Sequence, residues 1–229
     1  MAHIRGKFRL FSRIEAFSSL ALRLCQANNG TRIDTSRYDT FMVATQSRRF
    51  TVDEYKRMSE LGILAATERT ELVNGEIITM IAKGFAHASA MLRTQECFQE
   101  ALGRRVFVRA QDPIRLNNHS EPEPDIVIAV RDALAYSTHH PNPDEVLLVI
   151  EVADSSLKYD LEIKAPLYAS AGITEYWILD VIERQLYTFR QPKDGHYQVQ
   201  MILAETLAVL PVAFDDVTIR IADMLPPLK

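Results

Sequence analysis

Apolar side chains along this chain alternate between helical and strand spacing, and turn-forming residues stand at most of the switches. Thr51 followed three residues later by Glu54 makes a capping-box pattern, which predicts a helix from that point to about Leu61. The runs 71–73 and 76–80 flank Asn74-Gly75, a dipeptide suited to the positive φ angles of a tight hairpin turn. Residues 85–102 are expected to be a helix, because Ala88, Met91, Leu92, Cys97, Phe98 and Leu102 approximate one apolar stripe. Residues 106–110 read as a strand.

The central stretch has a different character. Residues 126–130 and 146–152 are nearly unbroken apolar or β-branched runs, as expected of strands covered on both faces. A helical segment is expected between residues 157 and 171, ending at Gly172, with Pro166 interrupting it so that its start lies on either side of the proline. Residues 176–179 resume a buried strand. A second hairpin follows, with residues 186–189 and 197–202 pairing across Asp194-Gly195. No internal repeat or low-complexity tract is present.

Composition narrows the class. A chain of 229 residues, 47% hydrophobic and 24% charged, suits one ordinary domain with a substantial core. Cys25 and Cys97 belong to no metal-binding or disulfide pattern, which reads as a cytoplasmic protein without a zinc site. No apolar run approaches the roughly 18 residues of a membrane span, so no membrane partner is expected. Residues 1–41 carry seven Lys or Arg against three Asp or Glu, a net of +4, which leaves −8 for residues 42–229 in a total of −4. This basic extension is expected to be an arm, a targeting peptide or sequence upstream of the true start, the last being favoured, with the folded domain over 42–229. The acidic total counts against nonspecific coating of nucleic acid but leaves room for a basic groove.

Chemistry concentrates at two carboxylates. Asp125 opens one central run and Glu151 closes the next, so antiparallel pairing of the two strands would bring both acids to one edge of the sheet. An Asp after Pro is a common strand-entry residue, and that structural reading of Asp125 stays open. Glu151 is harder to dismiss, since five apolar residues precede it and a buried carboxylate needs a counter-charge or a metal. Two acids side by side repel, and a divalent cation would relieve the repulsion. With oxygen donors and no thiol nearby, the expected ion is Mg2+, with Mn2+ possible; the backbone carbonyl of Val152 is a candidate third ligand.

Pro124-Asp125 and Glu151 resemble the acidic half of the PD-(D/E)XK nuclease signature. The wider set, Glu71-Leu72-Val73-Asn74-Gly75-Glu76-Ile77, His87, Pro124-Asp125-Ile126-Val127, Glu151-Val152, Asp160, Lys164, Tyr168, Gly172 and Glu175 to Asp180, resembles the Uma-type restriction-endonuclease family from about Phe50 to Leu225. The resemblance implies a restriction-endonuclease-like α/β fold, a mixed central sheet flanked by helices with added β-hairpins, and Glu71, Asp125 and Glu151 at the acidic positions. The signature lysine two residues after the glutamate is absent, since Ala153 stands there. The resemblance offers Lys164 on the following helix as a relocated lysine, which a long flexible stem makes reasonable.

Plainer readings stand beside these. Lys164 could pair with Asp160 on an exposed helix face, Glu71 could be a hairpin surface residue, and His87 near a helix start reads as a capping or surface residue and is left out of the site. Trp177 and Tyr176 are expected to pack in the core, and His139-His140 lacks metal partners. The leading expectation is a Mg2+-dependent endonuclease acting on DNA with water as nucleophile, Asp125 and Glu151 as ligands, Glu71 assisting, and Lys164 polarising the phosphate. A homodimer would let one site per chain cut both strands. The alternatives are a DNA-binding module that keeps the fold without the chemistry, and a protein-interaction domain.

Overall fold

A computed structural model describes residues 47–65, 67–80 and 82–228. The basic extension 1–41 and the domain start at Met42 lie outside them. Helix α1 (Val52–Glu60) begins as its capping box requires, Thr51 and Glu54 each bonding the other's backbone N–H. The hairpin of β1 (Thr70–Val73) and β2 (Glu76–Thr79) turns at Asn74 and Gly75, with φ of 51° and 78°. Glycine is required at the second position for space as well, since a Cβ there would lie 2.5 Å from that of Arg49.

Helix α2 (Phe85–Leu102) precedes strands β3 (Phe107–Ala110), β4 (Ile126–Ala129) and β5 (Val146–Ala153). A helical crossover follows: α3 (Leu157–Tyr159), a π-helical turn (Asp160–Lys164) and α4 (Ala165–Ser170). Then come β6 (Glu175–Asp180), β7 (Gln185–Lys193) and β8 (His196–Ala204), with short strands β9 (Ala208–Val209) and β10 (Ile219–Arg220) and the single turn α5 (Ile221–Met224). The helical segment runs straight through Pro166. A proline removes one i to i−4 hydrogen bond, and the widened π turn sits immediately before it.

The main sheet has the order β3-β4-β5-β6-β7-β8. Only β5 and β6 pair in parallel; the other neighbours are antiparallel. Parallel neighbours need a crossover, and residues 157–170 supply it. Side-chain alternation splits the interior into two layers. Ile126, Ile128, Leu148, Ile150 and Trp177 pack with α2 and the C-terminal elements, while Val127, Val149, Tyr176 and Ile178 pack with the crossover. Trp177 and Tyr176 are fully buried, as expected of core residues.

The α2 stripe differs from expectation. Its buried residues are His87, Ala90, Thr94, Phe98 and Leu102, whereas Ala88 and Leu92 face outward. Two polar side chains can line that face because each has a partner: Thr94 Oγ1 donates to the Ala90 carbonyl at 2.7 Å, and His87 Nε2 lies 2.9 Å from Asp125 Oδ2.

Candidate active site

Strands β4 and β5 pair with Ile126 opposite Ile150, which sets Asp125 beside Glu151 at one end of the sheet. The two acids are locked by each other's strands. The Asp125 N–H donates to Glu151 Oε2 at 3.1 Å, and the Val152 N–H donates to Asp125 Oδ2 at 2.9 Å. Antiparallel pairing therefore brings the acids together, as the sequence suggests.

Four further elements supply the other groups. Glu71 on β1 is buried, and its Oε2 accepts from the Glu123 N–H at 3.1 Å and from Lys164 Nζ at 2.7 Å. Lys164 also donates to Glu151 Oε1 at 3.3 Å, and Tyr168, one helical turn on, donates its hydroxyl to the same oxygen at 2.8 Å. From the other layer, His87 at the start of α2 reaches Asp125 Oδ2. Lys83, in the irregular stretch before α2, pairs with Asp125 Oδ1. All of these side chains except that of Tyr168 border a cavity of about 350 Å3, whose lining includes Asp154, Tyr159 and Asp160.

The surface readings of Lys164 and Glu71 are overturned. Lys164 is only 4% exposed, and its ammonium lies between Glu71 and Glu151 and does not pair with Asp160. The π turn places Lys164 and Asp160 both in the interior, whereas the alternative i, i+4 pair requires an exposed helix face. His87 must be added to the site, and so must Lys83.

Charges in the cluster compensate one another more than two bare carboxylates would. Burial disfavours the ionised form of Asp125, but the His87 hydrogen bond and the Lys83 charge outweigh it and hold the carboxyl below its ordinary range. Burial lifts Glu151 above its ordinary range against the pull of Lys164, and the charges of Asp125 and Glu71 add to the rise. Asp160 is pushed up to about 8 by burial and then by the charge of Glu151. Burial also opposes the ammonium of Lys164, yet Glu151 and Glu71 raise it above its usual value. The expected mutual repulsion of Asp125 and Glu151 is thus largely met by two lysines from the chain itself.

The donor set suits a hard cation, being carboxylate oxygen with no thiol in the cavity lining among the described residues. Asp125 lines the cavity, and its Oδ1 already meets a positive charge, the Lys83 ammonium, so a cation fits there. Among the described residues no group of three or more His, Cys, Asp or Glu side chains surrounds a single point as a ready metal cage. Mg2+ tolerates this, since it keeps several waters and takes few protein ligands.

The sheet, its crossover and the pair of acids at one end of its central strands define a restriction-endonuclease-like α/β fold. Residues 52–222 match the Uma2 family model, described as "Putative restriction endonuclease", and the chain belongs to that family. Among solved structures, a "putative nuclease belonging to DUF820" from Anabaena variabilis superimposes with a TM-score of 0.61. It is 16% identical, and the match covers 76% of this chain and 97% of the other, a likeness of fold. No curated protein matches the chain. No helix among the described residues is long and apolar enough to cross a membrane.

Proposed function

We propose that this protein is an endonuclease that hydrolyses DNA phosphodiester bonds with water as nucleophile and a divalent cation, Mg2+ or alternatively Mn2+, as cofactor. The observation that carries this reading is the pair Asp125 and Glu151, cross-bonded through backbone N–H groups at the wall of a cavity that Glu71, Lys83 and Lys164 also line. Membership of a family described as restriction endonucleases supports it. Asp125 and Glu151, with the Val152 carbonyl and assistance from Glu71, would hold the cation, which when bound supplies charge stabilisation to the phosphate and eases deprotonation of water.

The remaining residues act on these acids. His87 and the Val152 N–H fix the rotamer of Asp125, and Tyr168 fixes that of Glu151. Lys164 holds Glu71 and Glu151 together while its charge favours a phosphate in the cavity that it lines. Two chains related by a twofold axis would cut both strands. Supercoiled plasmid incubated with the protein and Mg2+ tests the reading. Conversion to open-circular and linear forms that EDTA abolishes is expected, and intact plasmid with both Mg2+ and Mn2+ would refute it.

A second reading, a DNA-binding module without catalysis, is favoured by one observation: Ala153 stands where the signature lysine would be. It predicts duplex binding that weakens with salt, and no cleavage under any metal condition.

A further inference from the structure

The two oxygens of Asp125 are held differently. Oδ2 accepts from the Val152 N–H within the sheet and from His87 at the start of a long helix, both at 2.9 Å. These donors come from regular elements. Among the described residues Oδ1 meets only Lys83, which belongs to an irregular stretch before α2, lines the cavity and has a side chain that is 19% exposed. The other lysine of the site is not equivalent, because Lys164 is 4% exposed and committed to two acids at once. Within the cluster, the charge on Oδ1 is therefore neutralised by the more exposed of the two lysines.

We propose that Lys83 is a tethered counter-ion that competes with the divalent cation for Asp125 Oδ1, holding the acid in the metal-free protein and yielding the oxygen when metal enters. The inference rests on the metal-dependent reading above. A cation that uses Asp125 from the cavity must take Oδ1, since Oδ2 is engaged by two donors that leave with neither the sheet nor the helix. An ammonium and a metal ion cannot share one oxygen at contact distance without strong repulsion. Metal affinity is then reduced by the fraction of molecules in which Lys83 has left Asp125. The same competition keeps a buried acid compensated before metal arrives, which a bare pair of carboxylates would not achieve.

Mn2+ titration at fixed ionic strength, without DNA, tests this on the wild type, Lys83→Met and Arg69→Gln. Arg69 is the control because its guanidinium pairs with Glu123 on the cavity rim and not with Asp125. The expected result is that Lys83→Met binds Mn2+ on the order of tenfold more tightly than the wild type, as removal of a competing charged hydrogen bond implies. Arg69→Gln should stay within about twofold of the wild type if long-range charge is screened. Mn2+ should also raise the melting temperature of Lys83→Met more than that of the wild type. Wild-type or weaker affinity in Lys83→Met, or an equal gain in Arg69→Gln, overturns the proposal. Should the wild type bind no Mn2+ but Lys83→Met bind it, the competition is upheld in its strongest form. Binding by neither protein overturns both this inference and the metal-dependent reading, whereas binding by the wild type with no gain in the variant overturns this inference alone.

Discussion

Two buried glutamates stand on neighbouring parallel strands, Glu151 on β5 and Glu175 on β6, and their surroundings separate structure from chemistry. Glu175 is fully enclosed and fully engaged. Its Oε1 accepts from Arg190 Nε at 2.8 Å and Trp177 Nε1 at 2.9 Å, and its Oε2 accepts from the Val212 N–H at 2.6 Å. One acid, one cation and two neutral donors make a closed set that ties β6 to β7 and to the C-terminal loop. Glu151 instead shares one cation, Lys164, with Glu71, stands beside a third acid, Asp125, and lies on a cavity. Burial of a carboxylate alone therefore signals little; an excess of acids beside open space is what suggests a reactive centre.

Removing the cation from each glutamate should give the largest effects. Lys164→Met and Arg190→Met each leave a buried acid uncompensated, and each should destabilise the protein by about 3–5 kcal/mol in urea unfolding. Their response to Mg2+ should differ, since the ion can restore positive charge beside Glu151 but not beside Glu175. Equal recovery of both variants in Mg2+ would erase the distinction.

A smaller effect concerns Asp160, which borders the Glu151 cavity and whose folded value of about 8 lies far above the ordinary 3.8. The sign is that of a raised carboxyl: its contribution is fully present below pH 4 and is lost as pH rises through about 8. Asp160→Asn should remove this loss, so that the variant gains on the wild type by roughly 2–4 kcal/mol between pH 4 and pH 8. Parallel stability curves for the two proteins would show that Asp160 titrates normally. Asp125 has the opposite sign, because its depressed carboxyl lends stability that is lost as pH falls through its folded value. Asp125→Asn should cost the metal-free protein about 1–3 kcal/mol at neutral pH through lost charge-assisted bonds to Lys83 and His87. A melting temperature above that of the wild type would mean that repulsion from Glu151 outweighs those bonds after all.

Much of this was legible in the sequence where local rules and tertiary structure agree. The turns at Asn74-Gly75 and Asp194-Gly195, the box at Thr51 and Glu54, and the apolar runs of β4 and β5 all fold as their patterns imply. The antiparallel meeting of Asp125 and Glu151 follows from those runs. His87 was hidden because choosing the most apolar stripe of α2 turned the helix toward Ala88 and Leu92, whereas the true buried face carries two polar residues satisfied by partners remote from the pattern. Lys83 carried no signal, since a lysine before a glycine in an irregular stretch has no period to read. The apolar pattern alone does not tell Glu151 from Glu175, since both interrupt or border apolar runs; the pairing with Asp125 and the family resemblance single out Glu151, and the distances to Arg190 and to the cavity show how differently the two are held.

The central claim is that chemistry resides at Glu151 and not merely in any buried acid of the sheet. It is tested most directly by single-turnover cleavage of plasmid DNA in Mg2+ by Glu151→Gln and Glu175→Gln, with rates expressed per folded molecule. Glu151→Gln should lose at least about 100-fold, the scale of removing one electrostatic group from an active site, while Glu175→Gln should stay within about threefold of the wild type. Cleavage by Glu151→Gln at the wild-type rate, or an equal loss in the two variants, would contradict the account.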